Sequence, residues 1–317
     1  MDEPGRDDAG KRGRTLTSVA CWLVLAAILL GVLRLTSLGA QTTPTLEVRD
    51  AADAAVPLRR PPRSPEHRLV AVRLGLADEL FLLDTGAAQT VIDPAAAERA
   101  GLGDSARLVL TALNDSFGFR PLVRVDELSI GPWVYKDFEA VVLDLSHLDS
   151  VLGGDISGVV GMNVLGRRPF ELDFVRDTLR IGGSLEAFEA ARPAGAVDSR
   201  FALLELDGTF VAELRVEGET SLFVIDTGAV PTIVQPDQGF RRPVQRRQFT
   251  RFDAHGARSM LVRSVELESL SLGHVVRADL TVDLGDFNLL GGDFLRGLTL
   301  FIDPDARWAI LRSHEGG

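Results

Sequence analysis

Two aspartates stand in nearly identical surroundings in this sequence. Asp84 and Asp226 each follow a run of apolar residues, and each begins the tetrapeptide Asp-Thr-Gly-Ala. Two carboxyl groups held about 3 Å apart cannot both ionise, so such a pair shares one proton. The ionised carboxylate can activate a water molecule while the protonated carboxyl protonates a leaving group. Because such a pair titrates as a unit, we assign the two roles to the pair and not to either residue alone.

The apolar runs are predicted to be buried strands that deliver the aspartates into tight turns. Residues 80–83 and 222–225 contain no polar position, which is typical of a strand without a solvent-facing side. Each strand is expected to pair with the segment before it, for example residues 67–74 with residues 80–83 around a turn at 75–79. The Thr-Gly pair then turns the chain, and glycine, having no Cβ, lets backbone N–H groups approach a carboxylate.

The chain contains an internal duplication. The two aspartates are 226 − 84 = 142 positions apart, and at this offset residues 69–94 align with residues 211–236 without a gap. A second echo aligns residues 158–165 (GVVGMNVL) with residues 288–295 (NLLGGDFL). The unit is roughly a hundred residues long, which is an ordinary domain size and longer than the period of about 20–50 residues of solenoid repeats.

An Asp-Thr-Gly-Ala motif after an apolar strand, followed by an apolar-apolar-Gly element, resembles the aspartic proteases of the retropepsin and pepsin type. The resemblance covers about residues 66–313; the single motifs are most similar to the bacterial retropepsin-like family, and their pairing in one chain resembles the bilobal pepsins. It implies an all-β fold of two pseudo-twofold-related lobes, residues 66–183 and 201–313, joined by a linker at 184–200. Asp84 and Asp226 are then expected to face each other across a cleft and to hydrolyse an extended protein or peptide substrate.

The resemblance also implies roles for the residues around the dyad. The two threonines are expected to lock the loops together, and residues 158–161 to pack under the first loop. Pepsins usually carry Ser or Thr where this chain has Ala87 and Ala229; losing that hydroxyl donor removes a stabiliser of the charged carboxylate. A pH optimum milder than that of pepsin is therefore expected, and a maximum below about pH 3 would contradict it. The predicted supporting residues are Thr85, Gly86, Ala87, Thr227, Gly228 and Ala229.

Two turn-rich hairpin tips resemble the flaps that close over a substrate. Pepsins carry a tyrosine there, whereas the single tyrosine of this chain, Tyr135, falls later, so a phenylalanine is expected to substitute for it. The alternative is that these phenylalanines only pack. The predicted flap residues are Phe117, Gly118 and Phe119 in the first lobe and His255 and Gly256 in the second. The basic residues 241–247 between motif and second tip are predicted to form a solvated loop, with contact to acidic substrates or anionic headgroups as the alternative.

The N-terminal part has a separate character. Residues 1–15 are polar, and residues 16–33 form an uncharged run that continues weakly to residue 40. Residues 16–40 are predicted to be a transmembrane signal anchor, with a cleaved signal peptide as the alternative. The basic residues before the run place the N-terminus in the cytoplasm, so the catalytic part is expected in the periplasm or at the cell surface, or secreted after cleavage. Residues 41–65 contain five prolines and are predicted to be a linker, or alternatively a removable propeptide.

Composition excludes several other functions. The net charge of −11 argues against a nucleic acid partner, and the single cysteine, Cys21, excludes intrachain disulfides and cysteine metal clusters. There is no His-Glu-x-x-His or Gly-x-Ser-x-Gly motif, so neither a metal nor another cofactor is expected. The predicted enzyme is an aspartic endopeptidase that is a monomer with intramolecular lobe pairing. The alternatives are a homodimer that pairs lobes between chains and a non-catalytic peptide-binding module.

Overall fold

The computed structural model describes residues 42–48, 54–113, 116–253 and 256–314. Strands dominate these residues, and the helices among them are short, which confirms the prediction of a mostly β protein. We call residues 56–181 the first repeat and residues 197–313 the second repeat. No helix within the described ranges is long and apolar enough to cross a membrane. The predicted anchor at residues 16–40 lies outside those ranges.

The strands are as follows. The first repeat and the segment before it contain β1 (Thr45–Val48), β2 (Val56–Arg59), β3 (Leu69–Leu74), β4 (Ala77–Leu83), β5 (Val91–Ile92), β6 (Asp104–Leu113), β7 (Ser116–Ile130), β8 (Trp133–Val142), β9 (Gly158–Val160), β10 (Phe170–Asp173) and β11 (Thr178–Ile181). The second repeat contains β12 (Val197–Ala202), β13 (Leu204–Leu206), β14 (Thr209–Val216), β15 (Glu219–Ile225), β16 (Ile233–Val234), β17 (Gln245–Asp253), β18 (Gly256–Leu267), β19 (Leu270–Leu272), β20 (Val275–Arg277), β21 (Leu280–Leu284), β22 (Leu289–Leu290), β23 (Leu298–Asp303) and β24 (Trp308–Ser313).

Short helices connect some of these strands. They are α1 (Pro94–Arg99), α2 (Ser146–Leu148), α3 (Met162–Leu165), α4 (Leu185–Ala190) and α5 (Gly292–Leu295), with a π-helical turn at Asp149–Gly153 directly after α2. The helix α1 begins where the carboxylate of Asp93 accepts a hydrogen bond from the Ala95 N–H at 2.9 Å, and Pro94 occupies the first helical position, where no backbone donor is needed.

The opening hairpin of the first repeat pairs β3 with β4. Alternate residues of β3 are buried and exposed, as expected for a strand with one face on the core. The predicted turn at 75–79 is too long, because β4 already begins at Ala77. Glu79 can lie in the strand and be buried because the guanidinium of Arg99 on α1 donates to both of its carboxylate oxygens, at 2.9 and 2.8 Å. The strand β4 therefore begins three residues before the apolar run that predicted it, and Glu79 is one of the added residues.

The motif strands occupy equivalent places in the two repeats. β4 lies between β3 and the parallel strand β9, and β15 lies between β14 and the parallel strand β22. The offset of 142 continues further along the chain than the sequence alignment does. Leu122 of β7 pairs with Val141 of β8, and Ser264 of β18 pairs with Asp283 of β21; both differences, 264 − 122 and 283 − 141, equal 142.

The two repeats meet in a shared sheet, in which β12-β24-β23-β10-β11-β2 are consecutive neighbours and β2 continues to β3. At its centre β10 and β23 are antiparallel, with Glu171 opposite Phe301, Phe170 opposite Ile302 and Leu172 opposite Leu300. The second echo in the sequence has an offset of 288 − 158 = 130 positions. At this offset residue 170 corresponds to residue 300 and residue 172 to residue 302, so exchanging the two strands leaves the register unchanged. An approximate twofold axis therefore relates the two strands at the Glu171–Phe301 pair.

The two predicted linkers take part in this sheet. β2 lies in the predicted linker 41–65 and pairs with β3 and with β11, while β12 begins in the predicted linker 184–200 and pairs with β24. Val56 and Leu58 of β2 are buried. The interpretation of residues 41–65 as a structureless tether is therefore wrong for β2, since the edges of two other strands supply the partners that the local pattern did not indicate. β1 likewise pairs with β8.

The basic segment after the second motif also differs from its prediction. Residues 245–247 already belong to β17. Arg241 lies 3.0 Å from a carboxylate oxygen of Glu268, and Arg242 forms an ion pair with Glu266 at 2.5 Å and another with Asp279. The predicted solvated loop is thus partly a strand, and two of its arginines are ion-paired to acidic residues of the same repeat.

Candidate active site

Each aspartate is fixed by the end of a buried strand. The backbone N–H of Asp84 donates to the carbonyl of Val160 at 3.1 Å, and the N–H of Asp226 donates to the carbonyl of Leu290 at 3.0 Å. The motif strand thus stays paired with its parallel neighbour up to the aspartate itself. The turn that follows starts from a defined position in both repeats, so the two carboxyl groups are delivered by equivalent scaffolds.

The threonines of the two motifs join the loops reciprocally. The hydroxyl of Thr85 donates to the carbonyl of Ile225 at 2.6 Å and accepts from the N–H of Thr227 at 3.1 Å. In the mirror arrangement the hydroxyl of Thr227 donates to the carbonyl of Leu83 at 2.9 Å and accepts from the N–H of Thr85 at 3.1 Å. Both threonines are 2% exposed. Four buried hydrogen bonds therefore hold the two loops against each other without water.

The glycines of the two motifs make room for the opposite carboxyl group. A Cβ atom added to Gly86 would stand 2.6 Å from either carboxylate oxygen of Asp226, and one added to Gly228 would stand 2.8 Å from Oδ1 of Asp84. Real Cβ atoms are essentially never found so close to another heavy atom. Each glycine is thus required by the aspartate of the other repeat, which explains why the motif carries glycine at this position twice.

The two carboxyl groups lie close together. Each carboxyl group packs against the glycine of the opposite loop, and each shifts the pKa of the other. Oδ1 of Asp84 accepts from the N–H groups of Gly86 and Ala87 at 2.8 and 3.0 Å, and Oδ1 of Asp226 accepts from the N–H of Gly228 at 2.9 Å. Both aspartates are partly exposed. The backbone donors stabilise negative charge on the pair while one face stays open.

The pKa of each aspartate is raised, so the pair holds a proton at a higher pH than an ordinary carboxylate does. Burial raises the pKa of Asp84, and the backbone donors act in the opposite direction. Burial also raises the pKa of Asp226, well above its ordinary value, and the neighbouring Asp84 carboxylate raises it further. Because the first proton released leaves a charge beside the second carboxyl, the pair passes through a state with one proton and one charge.

One part of the chain matches a known protein family. Residues 70–164 match the family model for aspartyl proteases. No curated protein matches the chain. The matched segment contains the Asp84 loop and the glycine element that follows it, and the match supports a protease-type enzyme. The Asp226 loop lies outside the matched segment, so its assignment rests on the duplication and on the geometry described above.

The glycine elements pack against the motif loops, as expected for the first repeat. The Met162 N–H donates to the carbonyl of Ala87 at 2.8 Å, and the Gly292 N–H donates to the carbonyl of Ala229 at 2.9 Å.

Among the described residues, no group of three or more His, Cys, Asp or Glu side chains is placed to hold a metal ion.

Two polar pairs behind the loops were not identified from the sequence. The Thr90 hydroxyl donates to Oδ1 of Asn163 at 2.8 Å, and the Thr232 hydroxyl donates to Oδ1 of Asp293 at 2.6 Å. These bonds tie each motif loop to its glycine element. The signal was present in the sequence, because Thr90 and Thr232 are identical at the offset of 142 and Asn163 aligns with Asp293.

The predicted flap residues lie beside hairpin tips. Phe117, Gly118 and Phe119 follow each other on β7, opposite β6, and Gly256 pairs with Asp253 across the β17–β18 hairpin. His255 lies outside the described residues. The side chain of Phe119 is 69% exposed. The hairpins exist where the sequence placed them, and their action on a substrate stays a prediction.

Proposed function

We propose that this chain is an aspartic endopeptidase that hydrolyses peptide bonds with a water molecule activated by Asp84 and Asp226. The observation that carries the proposal is the reciprocal lock between Thr85 and Thr227, which holds two Asp-Thr-Gly loops with each carboxyl group against the glycine of the opposite loop. Such a pair has both an acid and a base available at once, and general acid–base catalysis needs both.

The proposed reaction uses each carboxyl group in both of its steps. The ionised carboxylate takes a proton from water as the water oxygen attacks the carbonyl carbon of the scissile bond, and the protonated carboxyl gives its proton to the carbonyl oxygen. One carboxyl group now holds the proton taken from water, and the other is ionised. As the tetrahedral intermediate collapses and the C–N bond breaks, the first group gives its proton to the leaving nitrogen, and the second takes a proton back from a hydroxyl of the intermediate, which restores the starting state of the pair. The backbone donors at Gly86, Ala87 and Gly228 stay in place throughout, so the site needs little reorganisation.

The proposed substrate is an extended stretch of a protein or peptide, bound in a cleft between two β lobes. Backbone hydrogen bonds to a strand-like peptide would supply affinity, and pockets for alternate side chains would supply specificity. Apolar residues near both hairpins support an apolar preference. Phe119 and Leu261 hold equivalent positions, since 261 − 119 = 142, and their side chains are 69% and 71% exposed.

We further propose that the enzyme acts outside the cytoplasm, anchored by residues 16–40, and that it is a monomer. The uncharged run at 16–33 and the basic residues before it support the anchor. The hydrogen bonds between Thr85 and Thr227 join residues of one chain, which supports an intramolecular dyad. Sedimentation of the full-length protein in detergent would separate a monomer from a dimer that pairs lobes between chains.

The test of the proposed function is proteolysis by the full-length chain in detergent micelles. An unstructured protein is offered from about pH 3 to pH 8, a range that spans both limbs expected for an acid–base pair. The enzyme is compared with Asp84→Asn and Asp226→Asn. Asp78→Asn is the matched control, because Asp78 lies on the same strand as residue 83 and its side chain is 79% exposed.

We expect both dyad variants to lose about 100-fold to 10,000-fold of kcat, the usual contribution of a general acid or base. The Asp78→Asn variant should retain full activity. Cleavage that survives Asp84→Asn or Asp226→Asn would contradict the shared dyad. Binding of peptides without cleavage by any variant would favour the non-catalytic peptide-binding module.

A further inference from the structure

A turn upstream of β3 reaches across to the catalytic loop of the second repeat. His67 is 5% exposed. Its Nε2 lies 3.0 Å from the carbonyl oxygen of Gly228, and its Nδ1 lies 2.7 Å from the hydroxyl of Ser64. A residue of the first repeat therefore contacts the backbone of the Asp226 loop, 161 positions away in the sequence.

The backbone of the turn that carries His67 is held by the neighbouring arginine. The guanidinium of Arg68 donates to the carbonyls of Pro65, Glu66 and His67 at 2.7, 3.1 and 2.8 Å. It also lies 2.8 Å from the carboxylate of Asp177, between β10 and β11. The turn at residues 64–68 is thus tied to the central sheet, and its histidine has little freedom to move away from the loop.

The hydrogen bonds determine which nitrogen of His67 carries a proton. A carbonyl oxygen only accepts, so Nε2 must donate to Gly228. In the neutral imidazole Nδ1 then accepts from the Ser64 hydroxyl, and in the imidazolium Nδ1 donates to it. The bond to the Gly228 carbonyl persists in both protonation states, so the contact does not depend on pH.

We propose that His67 is a positioning residue for the dyad: by holding the Gly228 carbonyl it fixes the loop whose Gly228 N–H donates to Asp226. The same peptide segment thus receives a hydrogen bond from His67 and gives one to Asp226, at 2.9 Å. This inference rests on the proposed peptidase function, because it assigns His67 a part in the same reaction.

The second repeat has no equivalent imidazole. Position 67 + 142 = 209 is Thr209, whose hydroxyl donates to the carbonyl of Leu206 at 2.8 Å within its own turn. His67 therefore makes a contact with the Asp226 loop that Thr209, at the equivalent position, does not make with the Asp84 loop. The two motifs are identical in sequence, but this contact makes the surroundings of Asp84 and Asp226 different.

The charge of His67 also faces the dyad. Burial lowers the pKa of His67 below its ordinary value, whereas the Gly228 carbonyl and the carboxylates of Asp84 and Glu66 favour its charged form. Glu66 lies 3.7 Å from Arg296 of the second repeat. The imidazolium therefore forms in acid, where it lowers the pKa of Asp84 and opposes the effect of burial there. The dyad keeps its negative charge to a lower pH than it would beside a neutral residue.

Two substitutions separate the positioning from the charge. His67→Gln keeps an N–H donor for Gly228 but carries no charge, and His67→Leu has neither. For His67→Leu we expect kcat to fall about tenfold or more with a smaller change in KM, because loop misplacement by 1 Å can lower the rate about 100-fold. His67→Gln should recover most of kcat near neutrality, while the acid limb of its pH profile moves to higher pH. The exposed His274→Leu is the matched control and should behave as wild type.

The results have distinct meanings. A kcat of His67→Leu equal to wild type would overturn the positioning role. Superimposed pH profiles of His67→Gln and wild type would overturn the electrostatic role, since a merely structural histidine would give that result.

An NMR titration keeps the test independent of activity. The imidazole signals of His67, identified by their loss in His67→Gln, are followed against pH in wild type and in Asp84→Asn. We expect the pKa of His67 to fall in Asp84→Asn, because a neighbouring negative charge is removed. An unchanged midpoint would overturn the electrostatic role even for an inactive protein, whereas the positioning role is decided by the kcat of His67→Leu. If the wild-type protein shows no proteolysis that Asp84→Asn abolishes, that result would count against the proposed function alone.

Discussion

Thr85→Val tests whether the lock between the two loops holds them together. Valine has nearly the shape of threonine but replaces the hydroxyl with a methyl group. The variant loses the bond to the Ile225 carbonyl at 2.6 Å and the bond from the Thr227 N–H at 3.1 Å. With Thr85 and Thr227 both 2% exposed, water has no access to replace the missing partner. One carbonyl and one N–H group are left buried and unpaired.

The size of the effect follows from these two groups. A buried polar group without a partner costs about 1–3 kcal/mol, so two groups predict a loss of about 2–6 kcal/mol in the free energy of unfolding. The free energy of unfolding of a typical domain is only about 5–15 kcal/mol. Thr85→Ser keeps the hydroxyl and loses one methyl group, which predicts a loss near 0.8 kcal/mol (about one buried CH₂).

The assay is equilibrium unfolding in urea, with each variant measured at the same pH as wild type. Thr220→Val is the matched control, because Thr220 is exposed on β15 and the same change there should stay within about 0.5 kcal/mol. A Thr85→Val variant as stable as Thr85→Ser or Thr220→Val would refute the role of the buried hydroxyl. A Thr227→Val variant, the mirror substitution, should show a comparable loss of stability.

Three further predictions concern single residues. Gly86→Ala should lower the rate of hydrolysis at least about 100-fold, because its Cβ would stand 2.6 Å from the Asp226 carboxylate oxygens; Gly103→Ala, with no atom within 4 Å of its Cβ, should leave the rate unchanged. Burial raises the pKa of Asp226, so wild type loses stability as pH rises from about 4 through the raised pKa; Asp226→Asn should be the more stable protein at about pH 7, and urea unfolding that shows the reverse order would contradict this. Hydrogen bonds from Arg99 lower the pKa of Glu79, so its contribution is present at neutral pH and lost as pH falls through that pKa; Glu79→Gln should cost about 1.5–3 kcal/mol near neutrality, and less in acid, in urea unfolding.

The core of the site could be predicted because its information is local and occurs twice. The apolar strand, the aspartate and the Thr-Gly turn are contiguous in each repeat, and a tight turn after a buried strand fixes where the carboxyl group points. The constant offset of 142 then identified two equivalent elements. The structure extends this offset to the paired residues Leu122–Val141 and Ser264–Asp283, whose sequences differ too much for alignment to find them.

The strand β2 could not be predicted because its partners are distant. It consists of Val56-Pro-Leu-Arg59, a short segment with a proline and no extended period. Leu58 pairs with Val70 and Pro57 pairs with Thr178, so the strand exists where two other strands offer their edges. Its equivalent in the second repeat is β12, which pairs with β24 as β2 pairs with β11. Only the folded structure shows that the two predicted linkers contain equivalent strands, β2 and β12.

His67 could not be predicted for a similar reason. A single histidine beside a proline-rich segment carries no motif, and its partners Ser64 and Gly228 include one that is far away in the sequence. Arg241 and Arg242 illustrate the same limit, because a basic stretch does not reveal that its carboxylate partners lie on other strands. Long-range polar contacts need the fold before they can be identified.

The duplication raises a chemical question for the proposed hydrolysis, because a symmetric scaffold would have to carry out an asymmetric reaction. At any moment one carboxyl group must be the acid and the other the base. Sharing a proton solves this without any difference in sequence, since either Asp84 or Asp226 can hold it. A residue that acts on one side only, as we infer for His67, then does not create the asymmetry but biases it. The bias should be small near neutrality, where the imidazole is neutral, and grow in acid, where its charge favours ionisation of Asp84. A duplicated pair can thus be specialised by a substitution outside both motifs, while Asp-Thr-Gly-Ala stays identical in the two repeats.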